Sequence, residues 1–432
     1  MMSERHLDIR VPAINRVEGE GALDLVIQDG QIEELAFRIF EPPRLFEKLL
    51  EGREFTEVPD LTARICGICP VAYQMSAATA IERAYGVTVS VWTERMRRAL
   101  YCGEWIQSHA LHIHLLALPD FLGFENSLAM ATDYRAQLRR GMALQGLGNE
   151  LIALFGGRSV HPVGATVGGF FKAPDANAVS ALRQRLLAAD ADAVALVRWL
   201  AGISVPADTQ RFTSVALSDG DEYPMFGERM ISDHGLNIAV ADFEDHVIET
   251  QSPHSTALHA HIDDHPYLVG PLARMNLAHQ RLPADIRTLL DELGPRFPSA
   301  NMFDSLLARG IELLFALRQA SALLADYKNE PTPRETVTPR AARGVAATEA
   351  PRGVLYHRYD LGADGLVQSA RLVPPTSQNQ ARMEQDLAQA LQALGLDNDA
   401  DTLRRHAETV IRNYDPCISC ATHFLRLNLS RR

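Results

Sequence analysis

The fold depends on two short stretches near opposite ends of the chain, Arg64-Ile-Cys-Gly-Ile-Cys-Pro70 and Asp415-Pro-Cys-Ile-Ser-Cys420. Each contains two cysteines separated by two residues, a spacing that lets both sulfurs face one ion. Thiolates are soft, anionic metal ligands. A metal held by all four cysteines would therefore fasten the beginning and the end of the chain together.

The cysteine chemistry alone leaves three kinds of site open: structural zinc, a redox metal such as iron–sulfur, and two unrelated redox pairs. Zinc ribbons usually separate their pairs by about 15–20 residues, whereas most of this chain lies between its two pairs. A thioredoxin-like dithiol is disfavoured, because neither pair is expected to follow a strand and open a helix in a βαβ unit. The fifth cysteine, Cys102, is expected to pack as a small apolar residue.

The composition of the 432 residues is ordinary for a globular protein, with 47% hydrophobic and 22% charged residues. The net charge of −12 argues against a nucleic-acid partner, because phosphate binding needs a concentrated basic surface. The N-terminus lacks the apolar stretch of a secretory signal, and no segment approaches the roughly 20 apolar residues of a membrane span. We therefore expect a cytoplasmic protein without a membrane span.

Apolar spacing predicts an α+β fold that is predominantly α-helical, with small β elements near both ends. A hairpin is expected across Asp29-Gly30, because this dipeptide suits a two-residue hairpin turn. Two further strands are expected at residues 354–359 and 366–372. Helices are expected at residues 94–118, 127–155, 176–203, 283–293, 304–327, 380–394 and 402–414.

Two groups of histidines could suggest metal binding. His109 and His112 share one helix face, where we expect satisfied core histidines. A second group lies in or beside residues 257–272, a segment rich in proline and histidine that predicts a loop with a short helix. We expect the members of this group to be solvated: His254, His259, His261 and His265.

The residues around the cysteines resemble the two signatures of [NiFe]-hydrogenase large subunits. The second signature continues through Cys420-Ala-Thr-His423. Further blocks fit the same family in the right order: Arg16-Val-Glu-Gly19, Gly156-Gly-Arg-Ser-Val-His-Pro162, Ala350-Pro-Arg-Gly353 and residues 373–379. The resemblance spans almost the whole chain and implies the helical body of that family and a subunit that splits or makes H2.

The resemblance also implies the metal ligands. Cys66 and Cys417 would be terminal ligands of nickel. Cys69 and Cys420 would bridge nickel to an iron that carries CO and cyanide. Four soft donors suit nickel, and two shared thiolates bring the second metal within bonding reach.

Three residues acquire catalytic roles by the same resemblance. Cys417 would be one base for the proton released from H2. Arg352 would lie over the open edge of the two metals, where we favour an electrostatic role because an unshifted arginine stays protonated; a role as a base stays open. Glu18 would pass protons away from the cysteine, a task that suits a carboxylate whose pKa is raised by burial.

Other residues would support the centre. A hydroxyl from Thr376, or from its neighbour Ser377, would hydrogen-bond a cyanide ligand of the iron, and Pro351 would also contact the cofactor. Glu47 and His423 would bind a second cation, either Mg2+, which suits carboxylate ligands, or Fe2+, which accepts histidine.

The sequence departs from the family at two supporting positions. Tyr73 stands where many members have histidine, and Ser108 where many have aspartate, so the tuning of the centre cannot be carried over. The family usually loses a C-terminal peptide after the final histidine. We therefore expect one large catalytic domain over residues 1–423 and removal of residues 424–432 on maturation.

The chain itself is expected to hold no iron–sulfur cluster and no flavin. It has too few cysteines for a cluster, which normally needs about four, and no Gly-x-Gly-x-x-Gly for a dinucleotide. The implied partners are an iron–sulfur small subunit, a flavin-containing NAD(P) module, a maturation endopeptidase and nickel-insertion factors. Two alternatives remain: a structural Zn(Cys)4 protein, and a scaffold related to the quinone-pocket subunit of respiratory complex I, which lacks the four cysteines.

Overall fold

The computed structural model describes residues 6–218, 220–294 and 296–422. Its elements confirm the predicted α+β class with a helical majority. His423 and the predicted C-terminal peptide, residues 424–432, lie outside the described residues. Within the described ranges, no helix is both long and apolar enough to cross a bilayer.

The helices are, in chain order, α1 (Phe46–Leu50), α2 (Val58–Thr62), α3 (Pro70–Tyr85), α4 (Val91–Leu111), α5 (Leu118–Leu122), α6 (Ser127–Met130), α7 (Arg135–Gly156), α8 (Ala176–Ala188), α9 (Asp190–Ala201), α10 (Phe243–His246), α11 (Pro271–Ala278), α12 (Ala284–Leu293), α13 (Ser305–Leu323), α14 (Pro375–Leu394), α15 (Ala400–Tyr414) and α16 (Ile418–Ala421).

The strands are β1 (His6–Val11), β2 (Gly21–Gln28), β3 (Gln31–Ile39), β4 (Ala165–Thr166), β5 (Gly169–Phe170), β6 (Val215–Ser218), β7 (Phe226–Gly227), β8 (Arg229–Ser232), β9 (Asn237–Ala239), β10 (Val247–Gln251), β11 (Leu258–Ile262), β12 (Ala342–Ala350), β13 (Gly353–Leu361) and β14 (Val367–Val373). The strands of the middle of the chain, β4 to β11, are not predicted by the sequence, because most are too short to show alternation.

The predicted helices are confirmed with changes at their ends. Residues 94–118 lie in one continuous run of α4, a π-helical segment (His112–Ala117) and α5. Two predicted helices each divide into two, giving α6 with α7 and α8 with α9. The last four predictions correspond to α12, α13, α14 and α15.

Helix α4 is the centre of the helical body and packs against α7 and α13. The close approach of α4 and α7 requires glycine. A Cβ on Gly148 would lie 2.5 Å from the backbone nitrogen of Gln107 and 2.6 Å from the backbone oxygen of Gly103. Any larger residue at Gly148 would therefore separate the two helices.

The N-terminal sheet has the antiparallel order β1-β2-β3. The hairpin across Asp29-Gly30 is confirmed, and φ is 51° and 76° at these residues, the left-handed region that this turn requires. Leu25 of this sheet belongs to the same buried cluster as Leu387 of α14 and Ile411 of α15. The beginning and end of the chain thus share a hydrophobic core.

A second antiparallel sheet has the order β14-β13-β12-β7. Strands β13 and β14 confirm the two predicted strands. Strand β12 is not predicted, because its alanine-rich sequence does not alternate clearly between apolar and polar residues. In the β12–β13 hairpin, Ala350 pairs with Gly353, so Pro351 and Arg352 form the turn.

The prediction of a loop with a short helix at residues 257–272 is wrong for residues 258–262, although helix α11 does begin at Pro271. Leu258–Ile262 forms β11, which pairs with β10 and packs against α14. His259 is only 3% exposed, so the expectation that all four histidines are solvated is wrong as well. The burial comes from α14, a segment far away in sequence, which local composition cannot reveal.

The prediction for the helix pair of histidines is confirmed in that both are buried. His112 contacts the backbone oxygen of Arg412 through Nε2 at 2.7 Å. His109 Nε2 lies 2.9 Å from Glu312 Oε2. Both imidazoles therefore make polar contacts with other residues inside the helical body.

Candidate metal centre

The first cysteine pair lies at the start of α3. Cys66 is extended after a short 3-10 turn, and Cys69 immediately precedes Pro70, the first residue of α3. The Glu104 carboxylate of α4 accepts hydrogen bonds from the backbone N–H of Val71 at 2.6 Å and of Ala72 at 3.0 Å. A buried carboxylate therefore caps the helix that follows the pair, which satisfies two N–H groups that the helix cannot.

The second pair follows the end of α15. The helix stops because Asp415 takes a left-handed conformation, with φ of 56°, and Pro416 follows. Cys417 then precedes the short helix α16. The backbone N–H of Ile418 donates to the Glu18 carbonyl at 3.0 Å, which ties the second pair to the N-terminal segment.

The structure brings the four cysteines together. Their sulfurs all lie within 4.8 Å of one another. The Sγ atoms of Cys66 and Cys417 are 3.2 Å apart, those of Cys69 and Cys420 3.5 Å, and those of Cys417 and Cys420 2.8 Å. All four are buried. Cys102, also buried, lies outside this group, as predicted.

The pKa shifts of these four clustered thiols indicate that they cannot all be ionised without a bound cation. A hydrogen bond from Cys417 lowers the pKa of Cys66, whereas burial raises the pKa of Cys417. Cys66 therefore loses its proton more easily than an ordinary cysteine, whereas Cys417 keeps its proton more strongly. Only a multivalent soft cation would release all four protons, because cysteine binds metals as the thiolate. The donor set fits a nickel–iron site, and by donor type alone it also fits zinc.

Arg352 places a buried positive charge beside these sulfurs. Its Nε donates to the Asp415 carbonyl at 2.6 Å and its Nη2 to the Asp415 carboxylate at 2.9 Å. Its Nη1 is buried and has no hydrogen-bond partner among the described residues. Burial alone would lower the pKa of Arg352, but the charges of Asp415 and Cys417 raise it.

Glu18 lies against the same sulfurs. Its Oε2 accepts from the Cys417 thiol and from the backbone N–H of Ser419, both at 3.1 Å. Burial, followed by the charge of Cys66, raises the pKa of the carboxyl. Gly19 allows this approach, since a Cβ there would lie 2.6 Å from Cβ of Ile418. The geometry permits proton transfer between Cys417 and Glu18.

Thr376 and Ser377 open α14 beside the second pair. The Thr376 hydroxyl accepts from the backbone N–H of Cys417 at 3.0 Å. The Ser377 hydroxyl is buried, with no hydrogen-bond partner in the part of the chain that the structure describes. Pro351 precedes Arg352, and its carbonyl accepts from Arg274 at 3.0 Å. Either hydroxyl retains a proton that it can donate to a ligand.

The predicted second cation site is only half described. The Glu47 carboxylate accepts from the backbone N–H of Leu372 at 2.7 Å. The backbone N–H of Arg44 donates to the Thr422 carbonyl at 2.7 Å, so the end of the described chain lies close to α1. His423 itself lies outside the described residues, and its pairing with Glu47 stays a prediction.

The two departures from the family face the interior. Tyr73 is buried, its ring centroid lies 5.5 Å from that of His357, and burial followed by the charge of Cys420 raises its pKa. The tyrosine therefore stays protonated beside the second pair. The Ser108 hydroxyl is buried without a hydrogen-bond partner in the described ranges.

Sequence reasoning missed the charged groups beneath the centre. Arg274 is buried under the ring of Trp105, with its Cζ 4.5 Å from the ring centroid. It contacts Glu312 at 2.6 and 2.7 Å and Glu349 at 2.8 Å. Tyr223 adds a hydrogen bond to Glu312 at 2.7 Å. The available signal was Glu312, a charged residue inside an apolar run (residues 310–317) of helix α13.

Comparison with known proteins identifies the same family from its profile, from curated relatives and from solved structures. The profile of the family described as "Nickel-dependent hydrogenase" matches residues 44–143 and 240–423. The alpha subunit of sulfhydrogenase 2 from Pyrococcus furiosus is 31% identical over 97% of this chain and 100% of its own length. The beta subunit of the NAD-reducing hydrogenase HoxS from Cupriavidus necator is 26% identical, covering 96% of this chain and 94% of its own length.

Solved structures show the same likeness. The crystal structure of an NAD+-reducing [NiFe]-hydrogenase in the H2-reduced state matches with a TM-score of 0.88 and 28% identity. The match covers 96% of this chain and 99% of that one. The similarity therefore extends over the whole fold and is not confined to the cysteine motifs.

Proposed function

Because the chain belongs to the nickel-dependent hydrogenase family and is the catalytic subunit of a [NiFe]-hydrogenase, we propose that its clustered thiolates hold the metal centre at which H2 is cleaved to protons and electrons. One observation carries the proposal: buried sulfurs from opposite ends of the chain converge within 4.8 Å of one another. In this proposal Cys66 and Cys417 would hold the nickel, and Cys69 and Cys420 would hold the nickel together with an iron that carries CO and cyanide. When bound, such a centre supplies heterolytic activation of H2.

The protein contributes a fixed positive charge. Arg352 is held by Asp415 through two hydrogen bonds, while Nη1 has no partner among the described residues. A charge fixed in a dry site acts without reorganisation during the reaction. Its raised pKa supports this electrostatic role over that of a base.

The protein also moves the proton. Cys417 Sγ lies 3.1 Å from Glu18 Oε2, within reach of direct transfer. Because burial raises the pKa of Glu18, its carboxyl is suited to take a proton from Cys417 and pass it on to solvent. Glu18 is only partly buried, which gives the proton a way out.

Supporting contacts complete the proposal. Thr376 or Ser377 would donate to a cyanide ligand of the iron, and Pro351 would line the same part of the site. Glu47 and His423 would bind the second cation, Mg2+ or Fe2+. Peptide removal after His423 leaves a single catalytic domain of residues 1–423, and the family profile ends at that residue.

Electrons leave through other subunits in this proposal. With five cysteines in the sequence, four of them in the centre, the chain cannot ligate an iron–sulfur cluster, which normally needs about four. We infer an iron–sulfur small subunit followed by a flavin-containing NAD(P) module, in the cytoplasm, with an endopeptidase and nickel-insertion factors acting earlier. The likeness to NAD-linked hydrogenases supports this assignment.

Metal analysis and H2 oxidation by the purified complex test the proposal. We expect about one nickel per chain and H2-dependent dye reduction, followed by reduction of NAD+ or NADP+. C66A should lose nickel, whereas C102A, the matched change of a buried cysteine outside the cluster, should retain it. Zinc without nickel, or nickel-loaded complex that reduces no acceptor, would refute the proposal.

A further inference from the structure

A second group of metal-ligating side chains lies outside the four-cysteine centre. His254 Nε2 lies 2.7 Å from Glu384 Oε1, and His259 Nε2 lies 3.3 Å from Glu384 Oε2. The ligand atoms of the three residues lie within 4.8 Å of one another. We refer to them as the His2Glu cluster.

Three separate elements position this cluster. His259 is in β11, His254 in the loop that joins β10 to β11, and Glu384 in α14. The Glu384 carboxylate is further fixed by the backbone N–H of Phe37 in β3, which donates to Oε1 at 3.0 Å. The carboxylate and His259 are thus held by regular structure, whereas His254 can adjust with its loop.

The two imidazoles approach from different directions. Their ring centroids are 5.6 Å apart and their planes are inclined by 78°, so both Nε2 atoms converge on one point beside the carboxylate. In a tetrahedral site with metal–ligand bonds of about 2.0–2.2 Å, the ligand atoms lie roughly 3.3–3.6 Å apart, so His254 Nε2 must move away from Glu384 Oε1, from which it now lies 2.7 Å. The exposed loop of His254 can provide that movement.

Burial and charge favour a cation at this point. The side chain of His259 is 4% exposed, that of Glu384 17% and that of His254 29%. The carboxylate of Glu384 between the two imidazoles supplies the anionic donor that a divalent cation needs. The more exposed side, at His254, leaves room for water to complete the coordination.

We propose that the His2Glu cluster binds one divalent transition-metal cation of the Zn2+, Co2+ or Ni2+ class. Two imidazoles and one carboxylate with an open side are a donor set that these ions prefer. The bound ion fastens the β10–β11 loop to α14 and, through Glu384, to β3. The inference does not depend on the proposed function of the cysteine centre.

Titration of the mature, nickel-loaded complex tests the proposal, because its cysteine centre is already filled. After removal of loosely bound metal with a chelator, Co2+ or Zn2+ alone is added at about pH 8, because metal ions compete with protons for their ligands. We expect one further ion per chain by calorimetry, visible absorption bands for Co2+, and a rise in Tm. Nickel content should not change.

Variants decide whether the ion is bound at this cluster. H254A and E384Q should each weaken binding by more than about 100-fold, since loss of mere outer-shell support costs about 10–100-fold. H265A, which removes an exposed histidine next to β11, should bind as the parent does. Absence of binding up to millimolar metal, or unchanged binding in both H254A and E384Q, would overturn the proposal.

Discussion

Arg274 contacts Glu312 through Nε at 2.6 Å and Nη2 at 2.7 Å, directly beneath the turn that carries Arg352. The same guanidinium donates to the backbone oxygens of Ala350 and Pro351, each at 3.0 Å. The buried ion pair between Arg274 and Glu312 therefore fixes the β12–β13 turn, in which Arg352 lies beside the cysteines. Burial by itself would raise the pKa of Glu312. The positive charge of Arg274 has the larger, opposite effect and lowers this pKa to about 2.

Replacing Arg274 by methionine should destabilise the protein strongly. R274M leaves Glu312 and Glu349 buried without their cation, which typically costs about 3–5 kcal/mol. The measurement is the free energy of unfolding of the chain. R318M, which breaks a more exposed pair with Asp190, should cost less than about 1 kcal/mol. Equal losses in the two variants would contradict this account.

Arg352 is expected to act on catalysis more than on metal binding. R352K keeps a positive charge but loses the two-pronged contact with Asp415, so H2 oxidation should fall by about 100-fold at unchanged nickel content. Activity per nickel is the measurement. R343K, on the exposed part of β12, is the matched control and should retain activity. Nickel-loaded R352K with parental turnover would remove Arg352 from the mechanism.

Glu18 is expected to be needed for proton transfer. E18Q can still accept from the Ser419 N–H but cannot carry a proton, so turnover should fall by about 100- to 10,000-fold. H2/D2 exchange with D2O, measured per nickel, follows this step. E20Q changes an exposed glutamate two residues later and should have no effect. If E18Q exchanges at the parental rate, the proton leaves by another route.

Because of Asp386, the free energy of unfolding is expected to depend on pH. Burial raises the pKa of this carboxyl to about 7, so between about pH 4 and pH 7 the folded state binds a proton that the unfolded chain has lost. The free energy of unfolding must then fall as pH rises through this window, by at most about 4 kcal/mol at about 1.4 kcal/mol per pKa unit. D386N removes the titrating group. Its Tm, followed by calorimetry over this range, should decline less with rising pH than that of the parent.

The expected removal of residues 424–432 can be tested by intact mass spectrometry. The intact mass of the large subunit in active, nickel-loaded complex should correspond to a chain that ends at His423. Chains isolated without nickel should retain residues 424–432, because the peptide is expected to keep the second cysteine pair accessible until nickel is inserted. Active enzyme that still carries Arg432 would exclude this processing.

The amino-acid sequence by itself determined the fold class, the main helices, the hairpin at Asp29-Gly30 and the identity of the cysteine pairs. These features depend on local spacing or on short motifs, which are fully present in the chain. Only the tertiary structure decided that α14 buries His259 beside Glu384, that Asp415 holds Arg352, and that Arg274 neutralises Glu312 under the same turn. Each of these contacts joins residues distant in sequence, and whether a charged side chain is buried and paired depends on which surfaces meet when the chain packs.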